Sequence, residues 1–99
     1  MNKELLKDFE NVVSEHKYSM FHLMIYYCLK CNDEFESLSD DEIISLISFI
    51  YDAYMEDDNH IDLCYICDRA ILHKEDIMKN DYNVFNKYDL LNECYDNVF

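Results

Sequence analysis

Ser39-Asp40-Asp41-Glu42-Ile43-Ile44-Ser45-Leu46-Ile47-Ser48-Phe49-Ile50-Tyr51 is the stretch whose reading decides the fold. Ser39, followed three positions later by Glu42 and then by an apolar run, has the pattern of a capping box at a helix N-terminus. Asp40, Asp41 and Glu42 fall in the first turn, where carboxylates meet the positive end of the helix dipole. At about 100° per residue, Ile43, Leu46, Ile47, Ile50 and Tyr54 share one face. Asp41, Ser45, Ser48, Asp52 and Glu56 fall on or near the opposite face, a column of acids and serines only. With a rise of 1.5 Å per residue that column spans roughly 22 Å.

The rest of the chain supports a helical reading. It has no glycine and no proline among 99 residues. Tight β-hairpins rely on residues that accept positive φ, glycine above all. A P-loop, a Rossmann fingerprint, an EF-hand loop and a nucleophile elbow each need glycine at a fixed position, so the sequence argues against all four. Helices capped by Asn, Asp and Ser lose least from this composition. The expected fold is therefore all-α, a compact bundle of four to five short helices forming a single domain over residues 1–99.

Four further helices are expected around the opening one. Residues 2–15 carry Leu5, Leu6, Phe9, Val12 and Val13 at helical spacing. Residues 18–31 place Phe21, Met24, Ile25 and Cys28 in one stripe, broadened by Met20, Leu23 and Tyr27. Residues 32–38 form an acidic connection. Residues 60–79 carry Leu63, Cys64, Cys67, Ala70 and Ile71, with Asp58 or Asn59 as the expected cap. Residues 80–98 repeat apolar side chains at Val84, Tyr88, Leu91, Tyr95 and Val98. The longest near-continuous apolar run, residues 20–29, is half the length a bilayer crossing needs. The charged N-terminus lacks a secretory pattern, and five cysteines then fit a reducing compartment, so the expected location is the cytoplasm of a host cell.

Charge is the second organising feature. The net charge is −14, and residues 31–68 supply −12 of it, with twelve carboxylates and no lysine or arginine. Asp40, Asp41 and Glu42 have a local explanation in capping. Asp58 can be explained as the cap of the following helix, whereas Glu56 and Asp57 crowd a helix C-terminus, where acids oppose the dipole. Asp41, Asp52, Glu56, Asp57, Asp58, Asp62 and Asp68 are the candidate partner-binding residues, and Asp52, Glu56, Asp57 and Asp62 are expected to cluster near one corner of the bundle. Lysine and arginine never cluster, which disfavours direct binding to nucleic acid, since that rests on neutralising phosphates. The chain has the sign of the nucleic acid itself.

Two Cys-x-x-Cys pairs, Cys28/Cys31 and Cys64/Cys67, offer four thiols, the number a tetrahedral zinc takes. Neither pair is followed by the tight, glycine-bearing turn usual in zinc knuckles, and both lie on helical stripes, where free cysteine packs as a small apolar residue. His60 sits between Asp58 and Asp62, a setting compatible with proton transfer or metal binding but equally with a bystander. No Ser, His and Asp set is spaced to nominate a nucleophile, and no enzyme activity is expected.

These residues suggest a binding inhibitor, whose acidic helix and corner occupy the basic nucleic-acid-binding surface of a host nuclease or DNA-binding protein. In composition alone the chain resembles phage-encoded nucleic-acid mimics of the anti-CRISPR and anti-restriction kind. No motif carries that resemblance, and no residue roles are transferred from it. The alternative is a zinc-stabilised or homodimeric helical interaction module built on Cys28, Cys31, Cys64 and Cys67.

Overall fold

The computed structural model describes residues 20–98, and the helix expected over residues 2–15 lies outside them. Five α-helices and no strand occur among the described residues: α1 (Met20–Lys30), α2 (Asp40–Glu56), α3 (Leu63–Leu72), α4 (Lys74–Met78) and α5 (Lys87–Val98). A 3₁₀ turn, Phe35–Ser37, lies between α1 and α2. The all-α bundle expected from the sequence is what the chain adopts.

The opening stretch is the hub. Ser39 Oγ accepts the backbone N–H of Glu42 at 3.1 Å, and Glu42 Oε1 accepts that of Ser39 at 2.9 Å. The capping box is thus formed at both ends, and the hydrogen bond from the Ser39 backbone holds the Glu42 carboxyl below its ordinary range. From there α2 runs 17 residues and packs against α1, α3, α4 and α5. Its inward stripe, Ile43, Leu46, Ile47, Ile50 and Ala53, is buried. Burying this stripe stabilises the bundle by apolar transfer, at about 25 cal/mol per Å² of surface removed from water.

In α1, α3 and α5 the buried face differs from the stripe expected. In α1 the buried residues are Ile25, Tyr26 and Leu29, while Met20, Phe21, Met24 and Tyr27 are exposed. The helix was apolar nearly all round, so spacing alone could not select its inner face. In α3, Ile66, Cys67, Ala70 and Ile71 point inward and Cys64 is exposed. In α5 the buried residues are Leu90, Leu91 and Cys94, and Tyr88 and the preceding Val84 are outside the core.

Three boundaries also differ. The expected caps Asp58 and Asn59 are not caps: Asp62 starts α3, its Oδ1 accepting the N–H of Cys64 at 2.8 Å. The helix expected over residues 60–79 is broken at His73 (φ −109, ψ 20), which separates α3 from α4. The one expected over residues 80–98 begins only at Lys87. Before it, Asp81 Oδ1 accepts the N–H of Asn83, and Asn86 and Asp89 exchange side-chain-to-backbone bonds that cap α5. Short polar side chains offered the backbone an alternative to the helix and won.

A chain without glycine must turn with other residues. His60 (φ 56) and Asn80 (φ 51) take the left-handed conformation, and both belong to the few residue types that tolerate it. Asn80 follows α4 and donates its N–H to Ile77 O at 3.1 Å, standing where glycine usually ends a helix.

Candidate functional site

The seven candidate carboxylates all reach the surface side of the bundle, but the fold uses them differently. Asp57 is the most engaged. Its Oδ1 accepts the N–H of Asn59 (2.9 Å) and the hydroxyl of Tyr95 (2.8 Å), and its Oδ2 accepts the N–H of Ile61 (2.7 Å). Burial by itself would raise this carboxyl, but the three donors more than offset it and leave it below the ordinary range. Asp57 thus builds the turn after α2 and ties it to α5. Asp62 is consumed as the cap of α3, and Asp68 accepts Asn32 Nδ2 at 2.8 Å, joining α3 to the loop after α1.

Glu56 faces Lys87 of α5, with Nζ 3.3 Å from Oε1 in a solvent-facing ion pair. Asp41, Asp52 and Asp58 are exposed and accept no hydrogen bond or ion pair among the described residues. Asp52 lies near enough to Lys87 to act on it electrostatically. The expected acidic corner therefore divides. Asp57 and Asp62 are structural, and the acids left to solvent are those on the outer column of α2 with Asp58 beyond its end. Along that column Ser48, Asp52 and Glu56 are exposed and Ser45 is half-buried, as the spacing implied.

Beside this column runs a groove. Its upper part, about 260 Å³, lies between the α2 residues Ile44, Ser48 and Asp52 and the α4 residues Ile77 and Met78. Its lower part, about 320 Å³, is lined by Asp81, Tyr82, Phe85 and Lys87. Phe49, Asp52 and Asn80 line both parts, so the two adjoin along α2. Phe49 and Phe85 stack with centroids 5.6 Å apart and planes 14° apart. Phe85 in turn stacks on His73 at 4.5 Å.

Behind His73 is a cluster that spacing did not reveal. Glu93 of α5 accepts Arg69 Nη2 and lies 2.6 Å from His73 Nε2. Burial works to raise the Glu93 carboxyl, while the Arg69 and His73 hydrogen bonds outweigh it and hold it low. Arg69 and His73 sit one turn apart, a signal that they share a face, but nothing local points to Glu93, 20 residues beyond His73.

The cysteines are all free. The packing of α1 on α3 brings Cys28, Cys64 and Cys67 near enough for their thiols to influence one another. Burial first, then these neighbouring thiols, push Cys28 up to about 12 and Cys67 well above its ordinary value. Cys31 is exposed beyond the end of α1. Among the described residues no three His, Cys, Asp or Glu side chains are arranged to hold a metal ion. Nor is any helix among them long and apolar enough to cross a membrane. His60 is exposed in the turn after α2, outside any such group.

The sequence matches no protein-family model, and neither curated proteins nor solved structures give a match.

Proposed function

We propose that this protein is a binding inhibitor whose acidic α2 face occupies the basic nucleic-acid-binding surface of a host nuclease or DNA-binding protein, in the manner of phage- or mobile-element-encoded nucleic-acid mimics. The observation that carries the reading is the outer column of α2. Asp41 and Asp52, with Asp58 past the helix end, are exposed carboxylates that form no hydrogen bond or ion pair among the described residues. Asp52 and Glu56, one turn apart, are separated by about 6 Å along the axis, close to two phosphate steps of about 3.4 Å each in a duplex strand. A net charge of −14 on so small a chain costs stability through self-repulsion and speeds encounter with a basic surface.

The test is affinity capture from cell lysate at low and high salt, followed by identification of the retained protein and competition with duplex DNA. A retained nucleic-acid-binding protein that duplex DNA displaces supports the reading. Retention that DNA leaves untouched overturns it. The variant for this test neutralises Asp41, Asp52, Glu56 and Asp58 and spares Asp57, whose loss would damage the fold itself.

The zinc-stabilised alternative has in its favour the meeting of Cys28 with Cys64 and Cys67. Stoichiometric zinc by elemental analysis of protein grown with added zinc would support it. Concentration-dependent unfolding would support its homodimeric form.

A further inference from the structure

The groove beside α2 has the makings of a docking site of defined chemistry. Its floor is aromatic and fixed: Phe49 and Phe85 stack on each other, and His73 backs Phe85 while held by Glu93. Such a floor is organised before anything binds, which lowers the ordering cost of association. Its upper rim is apolar and open, with Ile44 43% and Met78 39% exposed. Its charged lining is Asp52, Asp81 and Lys87. Lys87 is already paired with Glu56, and nearby Lys79 with Asp76 at 3.4 Å. Among the described residues Asp52 forms no ion pair, and the Asp81 carboxylate accepts the N–H of Asn83 without pairing to a cation. Around an apolar slot, the uncompensated charge is negative.

We infer that this groove receives the apolar anchor of a basic, amphipathic segment of a partner protein, with the segment's Lys or Arg side chains meeting Asp52, Asp81 and the outer acids of α2. The inference rests on the reading of the acidic face as the contact for a basic partner. It adds that recognition is not by charge alone. An anchor seated against Phe49, Ile44 and Met78 would slow dissociation and leave part of the affinity insensitive to salt, whereas the carboxylates would set the association rate. Anchors in desolvated pockets carry most of the energy of such interfaces, and rim charges carry little.

The experiment uses two fluorescein-labelled Lys-rich helical peptides of about 12 residues, identical except for one central Leu or Ala. Binding to the full chain is read by anisotropy at about 50 mM and 300 mM salt. The Leu peptide is expected to bind about tenfold more tightly than the Ala peptide, and to retain that ratio at the higher salt. Ile44→Ser and Met78→Ser, at half-exposed positions, should each erase most of the ratio, with unchanged thermal melts as the control for folding. Asp52→Asn should weaken both peptides equally. Equal, salt-sensitive binding of the two peptides, weakened by Asp52→Asn but not by Ile44→Ser, overturns the groove and leaves the acidic-face reading standing. Binding of neither peptide at 50 mM salt overturns both. A dimer in sedimentation of the protein alone, dissociated by Ile44→Ser, overturns the inference by assigning the groove to a second copy.

Discussion

Asp52 and Asp57 stand little more than one helical turn apart in the same acidic segment, and the fold uses them in opposite ways. Asp57 leaves the end of α2 and closes the following turn with three hydrogen bonds, one of them reaching Tyr95 on α5. Asp52 remains on the outer face of α2 with no hydrogen bond or ion pair among the described residues. The same contrast holds between Asp62, which caps α3, and Asp58, which does not. A dense run of acids is therefore not one site. Part of it substitutes for the turn chemistry that a chain without glycine lacks, and part of it is surplus to folding.

The largest effect expected from this contrast is at Asp57. Asp57→Ala strands the backbone N–H groups of Asn59 and Ile61 and removes the link from Tyr95 to the turn, and should lower unfolding free energy by about 2–3 kcal/mol in urea melts. A loss below about 0.5 kcal/mol, the range of an ordinary surface change, would break the comparison. Next comes Glu93→Gln, which removes the charge that Arg69 and His73 share and should cost about 1–2 kcal/mol.

Both carboxyls also set the response to acid. Their folded-state pKa values lie below the unfolded value of about 4, so the stability they contribute is present above that pH and lost as pH falls through the folded values. Melts between pH 6 and pH 2.5 should show this loss, and the Asp57→Ala and Glu93→Gln variants should each show a shallower one. A steeper acid response in either variant would contradict the assignment. Asp62→Ala follows at about 1 kcal/mol, the usual worth of an N-cap.

The smallest effect belongs to Asp52→Asn. Its melt should fall within about 0.5 kcal/mol of the wild type, because relief of repulsion among the acids offsets the lost attraction to Lys87 and no hydrogen bond among the described residues is broken. A destabilisation of 1 kcal/mol or more would place Asp52 among the structural acids.

How legible these features were in the sequence follows from how far apart their parts lie. The capping box joins Ser39 to Glu42, three residues on, and the inward stripe of α2 repeats within one helix, so both could be read directly. The start of α5 at Lys87 is not legible from spacing, because Asp81 and Asn86 bind nearby backbone groups, a local competition that apolar periodicity does not register. The buried face of α1 was ambiguous because apolar residues surround the helix. Other features join distant positions. Tyr95 reaches Asp57 across 38 residues, Lys87 meets Glu56 across 31, and Arg69 meets Glu93 across 24. These pairings exist only once the helices have packed, and the one to Tyr95 is part of what sets Asp57 apart from Asp52. The groove depends on the same packing, since Phe49 and Phe85 come from different parts of the chain.

The central claim is that the outer acids of α2 are held for a basic partner and not for the fold. It is tested most directly by measuring Kd for the captured nucleic-acid-binding partner against salt concentration, for the wild type and for the chain carrying Asp41→Asn, Asp52→Asn, Glu56→Gln and Asp58→Asn. The account predicts that the neutralised chain melts with the wild type or above it, binds at least about tenfold more weakly at low salt, and has a markedly flatter dependence of log Kd on log salt. Equal affinity and an equal salt slope in the two chains would contradict it.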